Sequence, residues 1–286
     1  MALRNLLAAA LAVLLLVYPT VRAAAQTPAV QVVPEPGVVP EGVLDVQRGV
    51  DLSIQFFRSE YGLELARQVR IIVVPDRAGY AAALIREFRI NNAEAERRAR
   101  TSSAWTAGLT IIVTITSSSA RASRMHLVAH ELTHQLEMQV AAPASPWQLY
   151  WMAEGVADAV TARIVESGGY APSGTYQARW LESLRRAPRR PELHELGTME
   201  SWFTSLDRSG SPATYALAGL AALSLVDRFG HGAILAYFRA LNGHNDGATA
   251  FQRGFGRPME SFLEEFRRLL IDQLGKYPLP SLAPAA

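Results

Sequence analysis

Val128-Ala129-His130-Glu131-Leu132-Thr133-His134 is the stretch that decides the reading of this chain. Residues four apart on a helix lie one turn apart on the same face, so His130 and His134 can direct imidazole nitrogens at one point. Glu131, next to His130 around the helix, can bring its carboxylate to a water on a bound metal rather than to the metal itself. The flanking Leu127, Val128, Leu132 and Leu136 mark a buried helix rather than a solvated face with incidental histidines. Random placement gives this pattern on the order of once in a hundred such sequences.

Two histidines leave a catalytic zinc short of its usual three protein ligands. A metzincin would place glycine at position 137 and histidine at position 140. The chain has Glu137 and Val140 there, which excludes that subclass. The downstream candidate is Glu154 in Trp151-Met152-Ala153-Glu154-Gly155-Val156-Ala157-Asp158, after 19 intervening residues. That length finishes one helix, turns through Pro143 and Pro146, and brings a second helix back across the first. Gly155 would let the two helices approach closely, and Trp151 would pack under the loop. Asp158, one turn beyond Glu154, would orient a ligand imidazole from behind. His126 extends the histidine row by a further turn. Three side chains spread over about 12 Å of rise do not converge on one ion, so His126 reads as a cleft-wall or core residue. His194 and His244 read as surface residues.

Working outward, Val69–Val74 is a β-branched run ended by Pro75 and reads as a buried strand; Leu109–Ile115 reads as a second. Helices are expected over Leu44–Tyr61, stopped by Gly62, over Tyr80–Phe88, and over Arg121–Val140, capped from the serine-rich turn Thr116–Ala120. Beyond a join near Ala141–Trp147 the chain reads as mostly helical: Met152–Glu166, Tyr176–Arg185, Ala213–Phe229 stopped by Gly230, Ala233–Leu241 and Pro258–Leu274. The expected class is α+β, with a small α/β half (44–142) and a helical half (143–275) in one domain over 44–275. A proline-rich linker precedes it at 26–43, and a short tail follows at 276–286.

The chain has 286 residues, 49% hydrophobic and 19% charged, with no cysteine, which excludes a disulfide-stapled mini-protein and any thiolate-held metal centre. Residues 1–25 have a basic start, the 13-residue apolar run Leu6–Tyr18 and the small-residue site Ala23-Ala24-Ala25, the order of a secretory signal peptide. The run is too short for a membrane span of roughly 20 residues. Export to a periplasmic or extracellular location follows, with no membrane attachment after cleavage. Lys+Arg is 28 and Asp+Glu is 26, and Arg4 and Arg22 fall in the leader, so 28 less 2 leaves 26 of each sign from Gln26 onward. That balance offers no electrostatic case for nucleic acid.

H-E-L-T-H followed by W-M-A-E-G-V-A-D resembles the gluzincin branch of the zinc metallopeptidases, in particular the peptidase MA-like proteins, over roughly Leu44 to Leu274. The resemblance implies a zincin-like fold and one zinc per chain held by His130, His134 and Glu154. It also implies Glu131 as general base and Asp158 as the acid behind a ligand histidine. It further implies a peptide or protein substrate bound in extended form, paired with a strand such as Leu109–Ile115. An oxyanion donor is usually a tyrosine or histidine in this branch; Tyr215 is the best positional match, and His231, after Gly230, is the second candidate. Two other functions fit the same sequence: a secreted zincin-fold scaffold that cleaves nothing, and a zinc amidohydrolase acting on a cell-wall substrate. The base Glu131 argues against the scaffold, which has no need of it.

Overall fold

The structure is a computed structural model that describes residues 29–243 and 246–276. The leader over 1–25, His244 and the tail beyond 276 lie outside the described residues. The first element is a strand, β1 (Val30–Pro34), paired in parallel with β2 (Val69–Val74). The segment expected to be a linker over 26–43 therefore supplies an edge of the sheet, where Pro34 is tolerated because one side of the strand has no neighbour. Between them runs α1 (Pro40–Phe56), with proline in its first turn, where the missing N–H is harmless. One π turn, Phe57–Tyr61, continues it until Gly62 closes the helix at φ 62°.

After β2 come α2 (Arg77–Phe88), capped by the Asp76 carboxylate on the Gly79 N–H, and α3 (Asn92–Thr101), capped by Asn91. The α3 segment has no apolar period, because its buried face consists of Ala95 and Ala99 alone. Its helicity is supported instead by Glu94, paired with Arg97 and Arg98 one turn on. Then β3 (Ala104–Ala107) turns at Gly108, φ 56°, into β4 (Thr110–Thr114), antiparallel to it. The strand order is β1-β2-β4-β3, and only β3 runs against the others. The strand expected to receive a peptide, Leu109–Ile115, is thus interior: β4 is bonded to β2 on one side and to β3 on the other. The edge is β3.

One face of the sheet, with Ile71, Val73, Ile111 and Val113, packs on α1 and on α4 (Arg121–Ala141). The other, with Ile72, Val74 and Ile112, packs on Tyr80, Ala83 and Leu84 of α2 and Ala95 and Ala99 of α3. No side chain caps α4. Its first flanking residue is Ala120, and the hydroxyls of Thr116, Ser118 and Ser119 bond to one another instead.

Beyond α4 a short turn leads to α5 (Tyr150–Ser167), with 14 of its 18 residues buried, which makes it the central helix of the second half. Around it lie α6 (Thr175–Arg186), α7 (Met199–Ser209), α8 (Ser211–Leu241), α9 (Gly247–Phe255) and α10 (Met259–Lys276). Helix α8 joins the two expected helices Ala213–Phe229 and Ala233–Leu241 into one, kinked at Gly230, φ 76°. Helix α7 went unread because its buried face is short: Trp202, Ser205 and Ser209. The two halves share one core, since α4 has the sheet on one side and α5 on the other. The class is α+β. No helix among the described residues is long and apolar enough to cross a membrane.

Candidate metal centre

Helix α4 is buried along Val128–Glu137, polar residues included, so its histidines face protein and not solvent. The Nε2 atoms of His130 and His134 lie 3.1 Å apart. Glu154 Oε2, from α5, is 3.4 Å from the first and 3.7 Å from the second. These three side chains could hold a metal ion, since one donor atom from each lies within 4.8 Å of the others. Tetrahedral coordination with bonds of about 2.0–2.1 Å spaces ligand atoms by about 3.3–3.4 Å, and the three separations bracket that value.

The second nitrogen of each imidazole is also engaged. His130 Nδ1 is 2.9 Å from Asp158 Oδ1, and His134 Nδ1 is 2.8 Å from Glu137 Oε2. With the Nδ1–H groups donating to carboxylates, both Nε2 lone pairs point at the same spot, where they repel unless a cation or a proton lies between them. Glu131, Glu137, Glu154 and Asp158 are all buried around this point. Four carboxylates in so small a volume favour a cation. Burial opposes the charged form of His130, but Asp158 and Glu154 outweigh it and raise its pKa to about 10. His134 is likewise raised, its burial outweighed by Glu137 and Glu154. Burial would neutralise Glu154, yet the two histidines hold it below the usual carboxylate range. Without a metal, protons serve as the counter-ions.

Glu131 is not one of the three donors. Its Oε2 accepts a hydrogen bond from the Thr106 hydroxyl on β3. Tyr215, near the start of α8, has its ring 6.4 Å from that of His130 and 5.0 Å from that of Trp202. Burial, then the charges of Glu154 and Asp158, raise its phenol pKa and keep the proton on it. His231 is elsewhere: its Nδ1 is 3.0 Å from the Tyr61 hydroxyl, and its ring packs on Phe56 and Tyr61. His126 lies between the rings of Tyr176 and His130 and contributes no donor to the cluster. His194 is exposed.

The six residues read from the sequence, His130, Glu131, His134, Glu154, Asp158 and Tyr215, are therefore brought to one place. Three neighbours were missed. Glu137 is three residues after His134 on the same helix face, a spacing that signals contact. Thr106 has no such local signal. Tyr150, one turn before Glu154, stands beside the centre, and burial with the nearby Glu154 raises its phenol. Two expectations change partners. Gly155 does allow a close approach, but to α8: a Cβ there would lie 2.3 Å from the Ala218 carbonyl oxygen. Trp151 packs its ring on Phe251 and Phe262 of the later helices. No known protein family's sequence profile matches the chain, and a comparison with curated proteins finds no match.

Proposed function

We propose that this protein is an exported, zinc-dependent peptidase of gluzincin type with a zincin-like fold. The observation that carries the reading is the separation of roles on α4: His130 and His134 converge with Glu154, while Glu131 lies outside that group and is bonded to Thr106. Two imidazoles and one carboxylate, with no thiolate, form a donor set that suits zinc. Bound there, zinc supplies a Lewis acid for the scissile carbonyl and lowers the pKa of a water to about 7. The chain's own groups do the remainder. Glu131 takes the proton of the attacking water and delivers it to the leaving nitrogen. Tyr215, kept protonated by its surroundings, donates to the developing oxyanion. Asp158 and Glu137 fix the imidazole tautomers so that Nε2 remains the donor atom. The substrate is a peptide or protein in extended form, met outside the cytoplasm once the leader has been removed.

Elemental analysis of protein purified without added metal, with digestion of an unbiased peptide library, tests this. One zinc per chain is expected, together with cleavage that Glu131→Gln abolishes while metal is retained. Zinc content near zero that added zinc does not restore, or full cleavage by Glu131→Gln, overturns it.

A further inference from the structure

The β3–β4 hairpin meets the metal helix at two points one turn apart on the helix. The Thr106 hydroxyl donates to Glu131 Oε2, and Gln135 Nε2 donates to the Gly108 carbonyl at 3.0 Å. The face of α4 that carries Glu131 and Gln135 is thereby docked on the β3–β4 hairpin, while the face that carries His130 and His134 addresses α5. Thr106 and Glu131 are both buried, so water does not compete for the bond.

We propose that Thr106 is a positioning residue for the proton-accepting Glu131: its hydroxyl, on the strand, aims the carboxylate on the helix. The proposal rests on the peptidase reading and deepens it. A glutamate on a helix has three side-chain torsions and can swing toward the metal as a fourth ligand. One donor on Oε2 removes that freedom and leaves Oε1 to accept the proton.

The test uses the full chain loaded with zinc, compared as wild type, Thr106→Val, Thr106→Ser, Glu131→Gln and the double variant. Two readouts are taken: turnover of an internally quenched peptide library, and affinity for acetohydroxamic acid, whose hydroxyl proton is received by the base when the hydroxamate binds zinc. Thr106→Val, equal in shape, should lower kcat about 10- to 100-fold, the worth of a hydrogen bond to a charged group, with zinc affinity and KM near wild type. Thr106→Ser should recover most of that loss. Acetohydroxamate should bind about 10-fold more weakly to Thr106→Val, with little further loss when Thr106→Val is added to Glu131→Gln. Wild-type turnover and hydroxamate affinity in Thr106→Val would overturn the proposal, as would a Thr106→Ser as impaired as Thr106→Val. Should the wild type cleave no peptide while the hydroxamate series behaves as stated, the positioning role stands and the peptidase reading falls.

Discussion

Gly155→Ala probes how Glu154, the proposed third ligand, is held. A methyl at position 155 would sit 2.3 Å from the Ala218 carbonyl oxygen and 2.7 Å from its carbon, both main-chain atoms of α8, and real Cβ atoms stay beyond 3.0 Å. The shortfall is about 0.7 Å, and no flexible side chain can absorb it, so α5 has to move away from α8. Overpacking of this kind costs about 1–3 kcal/mol, against about 1 kcal/mol gained by replacing glycine with alanine inside a helix. The clash prevails, because main chain yields less readily than side chains. Glu154 is the adjacent residue, and metal sites tolerate ligand displacements of about 0.2 Å, so the same shift lowers metal affinity by about 10-fold or more. Thermal unfolding of the metal-free protein, with chelator competition for zinc affinity, reads both effects. For a chain of this size the midpoint should fall by roughly 2–8 °C. Gly232→Ala is the control, since that exposed helical glycine has nothing within 4 Å and should be neutral or stabilising by up to about 1 kcal/mol. Unchanged stability and zinc affinity in Gly155→Ala would mean that the α5–α8 contact is slack and that the glycine is not what seats Glu154.

Glu154→Ala should lose the metal outright, whereas Asp158→Ala and Glu137→Ala should each weaken zinc affinity by roughly 10- to 100-fold; equal effects from all three would contradict the assignment of ligand and supporting acids. In the metal-free protein the raised pKa of His130, about 10 against the ordinary imidazole value of 6.5, contributes stability that is fully present below pH 6.5 and lost as pH rises through 10. The raised pKa of Glu137, about 7 with burial as the main cause, acts in the same direction. Unfolding scans with chelator present should therefore show a midpoint falling from pH 6.5 to 10, and zinc affinity should rise over that range as the protons leave; a flat profile in both would count against the coupled site. Asp45, buried at 5% exposure, joins α1 to Arg121 and Arg124 of α4. Asp45→Ala, which strands the largely buried Arg124, should cost about 3–5 kcal/mol in denaturant unfolding, and a loss below 1 kcal/mol would place the pair among ordinary surface bridges.

What the sequence disclosed was what local spacing encodes. His130 and His134 are one helical turn apart, Glu154 and Asp158 likewise, and the apolar residues around each pair fix which face is inward. The β-branched runs at 69–74 and 110–114 are legible because an interior parallel strand is apolar on both faces. The remainder depends on contacts between distant segments. Thr106 is 25 residues from Glu131 and lies on a four-residue strand too short to show a period. Helix α3 hides its apolar face in two alanines, and β1 reads as a linker because the prolines in and around it carry no sign of the neighbour that pairs with it. Gly155 announces a close approach without saying to what. Glu137 was legible by its spacing from His134, but in the sequence it served only to exclude a glycine.

The acids around the centre show why the site belongs to the whole fold and not to one motif. Asp158 reaches His130 from α5, and Glu137 reaches His134 from within α4. Glu131 is secured from the sheet by Thr106, and Glu154 is seated by the α5–α8 approach at Gly155. Two of the acids thus come from α4 and two from α5, and none of the four has a lysine or arginine hydrogen-bonded to it among the described residues. A buried group of carboxylates without cationic side chains stays folded either by keeping protons on its imidazoles or by binding a cation. The first state weakens as pH rises above 6.5, whereas the second strengthens over the same range. Above that pH the fold and a bound metal ion therefore stabilise each other, and removing the ion at high pH should open the α4–α5 contact before the α1–sheet contact, which carries no site residue.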